Sequence, residues 1–421
     1  MKTTSSLTIL FLFNLFSVTS FAQGEAAVPF LLLNPSPSLS AMGATGTALP
    51  TEDPFGFLWN PAQLGYTSQT NNLSFIFYPS KLEWFPAFNL DWEFKAIAFN
   101  AGYNFEELIG FPLSFGFGYS NPEFNFGTFY MYDEFGNIID EVEAKDYYNA
   151  YSFGLGVDYF VQLSIGYTIK DVKSLLADFS SSPDSGQVKA ETTVNDFGIL
   201  LNVPVLKLID DKMQAQLDEN LFAKPIFNFS LGYSKSNIGD EITYVDPAQA
   251  VLLPRMDRLG YGITAGFDLI SDNFRINAFN LTFTVEADDI LIKRESMSND
   301  WEYQQTLSDL KFWKNIVLIE GDEKIVSHAG TKLEFVETVS LYFGHFSGRG
   351  YPDPKETNGF EIRAKGLLKL CAVWAKDPIT DFLRDHIDIR YYNTDYSDFN
   401  ITQTKMTGLA FYIHNLNELF E

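Results

Sequence analysis

The sequence predicts an all-β protein, a transmembrane antiparallel β-barrel of about 14 strands with an N-terminal hatch or plug. Three observations predict it. The chain opens on an export signal and never returns to a membrane-helix pattern. Long runs then alternate aromatic with small or polar residues, and a glycine- and proline-punctuated stretch precedes them. The 421 residues carry 29 Lys+Arg against 54 Asp+Glu, a formal charge of −25. That balance argues against nucleic-acid partners, which need basic surface to displace counterions from phosphates. A single cysteine excludes a disulfide framework, a zinc ribbon and a CxxC redox motif. Phe (41) and Tyr (21) dominate the aromatics, and both favour strands.

The first element, residues 1–22, reads as a secretory signal peptide. Lys2 gives a positive start, Leu7 to Phe16 is mostly apolar, and Ser20-Phe21-Ala22 places small residues at a cleavage site. No cysteine lies near that site, so a lipoprotein anchor is excluded. No later stretch reaches the roughly 18 consecutive apolar residues of a membrane helix. The mature chain is therefore soluble outside the cytoplasm or a barrel in the outer membrane.

Strand faces separate those options. Tyr151, Phe153, Leu155, Val157 and Tyr159 oppose Ser152, Gly154, Gly156 and Asp158; after a turn near Asp158, Val161, Leu163, Ile165, Tyr167 and Ile169 continue one face. Similar alternation recurs at Leu113–Ser120, Phe227–Ser234, Leu259–Leu269, Leu281–Asp288, Leu333–Gly344 and Phe360–Trp374, where Cys371 reads as a small wall residue. Several runs reach the roughly 9–11 residues that a tilted strand needs to cross a bilayer. Aromatic pairs such as Trp84-Phe85, Tyr147-Tyr148 and Tyr391-Tyr392 fit an interfacial girdle. A soluble β-sandwich or propeller is the competing reading of the same pattern. Two segments do not alternate. Val205–Ala223 spaces Leu206, Ile209, Met213, Leu217 and Leu221 like an amphipathic helix, and Ile292–Gly330 reads as a long polar loop containing Trp301, Phe312 and Trp313.

Ahead of the first strand stand Leu32-Leu33-Asn34-Pro35, then Ala41-Met42-Gly43-Ala44-Thr45-Gly46-Thr47-Ala48-Leu49, Asp53, and Phe57-Leu58-Trp59-Asn60-Pro61-Ala62-Gln63-Leu64-Gly65. This backbone is too irregular for a spanning strand, and at membrane depth it is tolerated only inside protein or a water-filled cavity. A plug within the barrel satisfies that condition, and a periplasmic tail capping one end is the alternative. The expected divisions are 1–22 signal, 23–68 hatch, 69–413 barrel and 414–421 tail.

At these residues the sequence resembles the FadL-like outer-membrane barrels, whose hatch carries Asn-Pro-Ala. It is more closely similar to the PorV/PorQ-like branch, through Met42-Gly43, Gly46, Asp53 and Asn60-Pro61-Ala62. Two later blocks match as well. One runs through Phe229–Tyr233, Ser236–Gly239, Ile242–Tyr244, Leu253-Pro254-Arg255 and Leu259-Gly260; the other runs from His328-Ala329-Gly330 to Arg349-Gly350. The resemblance implies a fourteen-stranded plugged barrel. It also implies either a cargo-carrying or component role in type IX secretion, or fatty-acid-type transport as in FadL. The chain departs from the usual barrel ending by running on through His414 to Glu421.

Catalytic patterns are missing from the sequence. His328, His345, His386 and His414 form no ligand-spaced cluster, and no GxSxG or complete phosphate loop occurs. No enzyme activity, cofactor or metal is expected. The first functional expectation is a protein-interaction role at the outer membrane, with secreted cargo or secretion components as partners and Trp301, Phe312 and Trp313 as the docking loop. The second is transport of hydrophobic small molecules. Outer-membrane lipid is a partner in both.

Overall fold

The computed structural model describes residues 26–83, 92–178, 187–244, 250–271, 274–294, 301–375, 377–397 and 403–419. The signal segment 1–22 and the Trp84-Phe85 pair lie outside the described residues.

Fourteen antiparallel strands close into one barrel. They are β1 Leu73–Phe77, β2 Ile97–Asn104, β3 Leu113–Ser120, β4 Ile138–Asp158, β5 Gln162–Asp178, β6 Gln187–Pro204 and β7 Leu221–Ile238. There follow β8 Met256–Ser271, β9 Phe274–Ile290, β10 Ile325–Phe335, β11 Val339–Gly348, β12 Tyr351–Arg363, β13 Ile387–Ser397 and β14 Gln403–Ile413. Closure is direct, because Leu73 of β1 stands opposite Ala101 of β2 on one side and Ile413 of β14 on the other. A closed ring leaves no unpaired edge, which is what a strand protein in lipid requires.

The alternation in the sequence becomes inside and outside. Tyr151, Phe153 and Leu155 of β4 are exposed on the outer wall, with Leu163, Ile165 and Tyr167 of β5 beside them. Ser152, Ser164 and Thr168 point inward and are buried. An apolar exterior around a polar interior defines an outer-membrane barrel, and this protein is one. The first three strands are interrupted partway. β1 resumes as Leu82–Glu83, β2 is preceded by Glu93–Lys95, and β3 resumes as Glu123–Tyr132 after Asn121-Pro122, where proline removes a ladder donor. The two ends differ: β4 to β5 and β10 to β11 are joined by tight turns, whereas 239–255 and 291–324 are long. Long loops face the exterior, so the tight turns are periplasmic.

Several expectations require correction. The run Phe360–Trp374 is not one strand: β12 stops at Arg363, and helices Ala364–Ala375 and Pro378–His386 follow on the periplasmic side. Ala, Leu and Lys dominate the first helix and favour it, while Asp377 caps the second by accepting from the Ile379 and Thr380 amides. Cys371 therefore lies on an exposed helix rather than in the wall. The Val205–Ala223 helix shrinks to Val205–Ile209, and Leu221 already belongs to β7. Leu208, Ile209 and Leu217 are exposed, so no buried face stabilises a longer helix. Leu333–Gly344 is two strands joined by a turn through Val336 and Glu337, both at positive φ. The loop after Ile292 holds a short hairpin, Ile292–Arg294 with Trp301–Tyr303, and a π-helical turn Phe312–Val317; it ends at Ile325 rather than Gly330. The Tyr391-Tyr392 pair straddles the wall, with Tyr391 outside and Tyr392 buried inside.

Candidate functional site

The N-terminal stretch folds inside the ring. Helix Pro37–Ala41 packs on β11 to β14, and helix Gln63–Thr67 packs on β3 to β5, so the stretch bridges the lumen from wall to wall. Ser36 starts the first helix by accepting from the Leu39 amide, with Pro37 at its first position. Asp53 then ties the stretch to itself. Its carboxylate accepts from the Ser36 hydroxyl at 2.6 Å, from the Ser38 hydroxyl, and from the Phe55 amide at 2.8 Å. Burial raises the Asp53 carboxyl pKa, against the pull of those donors.

Asn60 fastens the stretch to the wall. Its side-chain amide donates to the Thr47 carbonyl at 2.7 Å and the Ile199 carbonyl of β6 at 3.1 Å, while its oxygen accepts from the Ala62 amide at 3.0 Å. Gly198 lies directly behind, and a Cβ there would collide with the Asn60 oxygen. Met42 and Gly43 meet the opposite wall in the same way, where a Cβ on Gly344 of β11 would collide with their backbone. The Gly43 amide donates to the Thr357 hydroxyl at 2.9 Å, and Nδ1 of His328 lies 2.7 Å from the Gly43 carbonyl. A buried carboxylate completes the clasp: Glu286 of β9 accepts from the Gly46 amide at 2.9 Å, the Thr47 amide at 2.7 Å and the Trp59 indole at 2.6 Å.

Among the described residues, cavities of opposite character lie on either side of the hatch. On the outer side lies one of ≈350 Å³, walled by Phe30, Leu32, Trp92, Phe124, Phe126 and Phe346, with Asn34, Asp288 and His328 among its polar groups. On the periplasmic side lies one of ≈390 Å³, lined by Glu52, Lys332, Glu334, Arg363, Lys369 and Arg390 among others. In the lower cavity Glu52 pairs with Arg390, and with Arg363 at 3.6 Å. Burial would raise its carboxyl; Arg390 and Arg363 outweigh that and hold it well below the usual carboxylate range.

Met42, Gly43, Gly46, Asp53, Asn60, Pro61 and Ala62 thus meet as parts of one packed body. Met42 and Asp53 also line the polar cavity, whereas none of the seven lines the apolar one. Their geometry is that of anchors. Trp301, Phe312 and Trp313 stand apart on the outer loop; Phe312 and Trp313 are 52% and 74% exposed and meet edge to face at 5.9 Å. Sequence reasoning did not single out Glu286, Asp288, Arg258, Arg363 or Arg390. A signal existed, since charges on the small-residue face of a long alternating strand have only the lumen to occupy, as Glu286 and Asp288 do beside Val285 and Ala287. Among the described residues no cluster of His, Cys, Asp and Glu could hold a metal ion.

No family model matches the chain, and no curated protein matches it in sequence. Solved structures do resemble it in fold. The CymD monoaromatic hydrocarbon channel is 10% identical, over 91% of this chain and 98% of that one, with a TM-score of 0.41. The toluene transporter TbuX of Ralstonia pickettii is 11% identical, over 90% and 98%, with a TM-score of 0.39. A FadL homologue of Pseudomonas aeruginosa is 8% identical, over 90% and 97%, with a TM-score of 0.34.

Proposed function

We propose that the protein is an outer-membrane channel for hydrophobic small molecules, which enter the aromatic cavity above the hatch from outside. That cavity is the observation supporting the reading. Its ≈350 Å³ exceeds the roughly 150 Å³ that an apolar cavity needs for benzene, and it has the aromatic walls of a small-molecule site. Straight descent is disfavoured, because the lower cavity is lined by charges that solvate one another and that an apolar molecule cannot satisfy. The remaining route is through the wall. Trp92, Phe124 and Phe126 line the cavity beside the interruptions of β2 and β3, the part of the wall that would have to part for an apolar molecule to leave towards lipid. Cells lacking the protein are expected to take up labelled apolar aromatic compounds more slowly. Leu32→Arg, which puts a charge into the cavity, is expected to reproduce that loss; normal uptake in the deletion strain would overturn the proposal.

A protein-interaction role in or near type IX secretion has narrower support, the exposed Phe312–Trp313 pair on the outer loop. Pull-down of the tagged barrel with and without residues 292–324 tests it. Recovery of neither secreted proteins nor secretion components would remove that role.

A further inference from the structure

The polar groups at the apolar cavity are unevenly satisfied. Asp288 directs Oδ2 at Arg258 Nε, 3.4 Å away, and at His328 Nε2, 3.5 Å away. Its other oxygen, Oδ1, is buried with no hydrogen-bond partner among the described residues. His328 is fixed through Nδ1, which must carry its proton because the Gly43 carbonyl only accepts. Its Nε2 is buried and faces Asp288 Oδ2, whereas the side-chain nitrogen of Asn34 is buried without a hydrogen bond, its oxygen being occupied by the Ser36 amide at 2.9 Å. Asn34, Asp288 and His328 are each at least nine-tenths buried, and all three line the cavity. Buried polar atoms without partners are costly and uncommon in native structures, so an acceptor on Asp288 and a donor on Asn34, both in residues that line one cavity, point to a molecule that completes them.

We infer that the cavity takes a neutral aromatic molecule of one or two rings bearing a hydroxyl group, whose O–H donates to Asp288 and whose oxygen accepts from Asn34. This inference rests on the proposed small-molecule reading and narrows it. The aromatic walls fit the rings, and ≈350 Å³ leaves room for two of them. A carboxylate would suit the floor poorly. It would face the bare Asp288 oxygen, and the neighbouring guanidinium of Arg258 is already shared between Glu286, at 3.8 Å, and Asp288. Arg349 also lines the cavity and donates to the Ile290 carbonyl at 3.4 Å. An anionic ligand held by Arg349 is therefore the chief rival.

The experiment uses the purified full chain in detergent and measures equilibrium binding of four probes of nearly one shape: 2-naphthol, naphthalene, 2-methoxynaphthalene and 2-naphthoate. 2-Naphthol is expected to bind about tenfold or more tightly than naphthalene, as one hydrogen bond to a charged acceptor implies. The methyl ether, which has the oxygen but no donor, is expected to bind within a fewfold of naphthalene, and 2-naphthoate weakest of all. Asp288→Asn is expected to remove most of the 2-naphthol advantage over naphthalene, both affinities being measured in the same variant. Equal affinities for 2-naphthol and naphthalene, or for 2-naphthol and its methyl ether, would overturn the inference without any variant having to fold. Tightest binding of 2-naphthoate would overturn it in favour of Arg349. Binding of none of the four would remove the proposed function of the cavity together with this inference, whereas equal binding of naphthalene leaves that function standing.

Discussion

Glu52 reaches from the hatch to Arg390 of β13 and Arg363 of β12, which line the periplasmic cavity. Its pairing has a pH signature. A carboxyl held well below its usual value of 4.5 stabilises the folded state above that value, and the contribution fades as pH falls towards the depressed one. His414 acts in the same direction, since burial pushes its imidazole down to about 4, so acid must charge a buried neutral ring. Glu52→Gln is expected to lower neutral-pH stability by about 1–2 kcal/mol. The value is modest because a third of the side chain meets cavity water. Unfolding midpoints followed by heat-modifiable electrophoresis at neutral and acid pH would check this. The variant should lose less than wild type on acidification, and equal neutral stability would show that the pair does not latch the hatch.

At the scale of elements, the fold was legible wherever one physical rule acted alone. The β4–β5 hairpin is an example, because lipid on one side and the hatch on the other impose a strict two-residue period and Asp158 marks the turn. Ala364–Ala375 was misread because its sequence satisfies two periods at once: outside the bilayer nothing enforces alternation, and intrinsic helix preference decided. The hatch was legible as an element through its glycines and prolines, but its partners were not, since Asn60 and Gly198 are far apart in sequence and meet only when the ring closes. The wall ladder makes no use of the hatch, as each strand pairs with its neighbours around the ring. Deleting residues 26–68 is therefore expected to leave a barrel in the outer membrane. With the lumen emptied, that barrel should conduct ions in planar bilayers, whereas the intact protein should conduct little. Equal conductance of the two would mean that the hatch does not seal the lumen.

For the molecule as a whole, orientation follows from the ring. An even number of strands brings Leu73 and Ile413 to the same end, and that end has the tight turns of a periplasmic face. The paired helices Ala364–Ala375 and Pro378–His386 lie there, next to the polar cavity that Lys365 and Lys369 help to line. The apolar cavity, the 291–324 loop and the exposed Phe312–Trp313 pair lie at the other end. This polarity determines which solution each cavity meets, and hence the direction in which a ligand enters. The sequence supplies its own reporter, because its single cysteine, Cys371, is exposed on the first of the periplasmic helices. A maleimide attached to a polymer too large for porins should leave Cys371 unlabelled on intact cells and label it once the outer membrane is permeabilised. A cysteine placed at Ser308 in the outer loop, in a Cys371→Ser background, should show the reverse preference and react on intact cells. Labelling of Cys371 from outside would invert the barrel and put the charged cavity, rather than the aromatic one, at the point of entry.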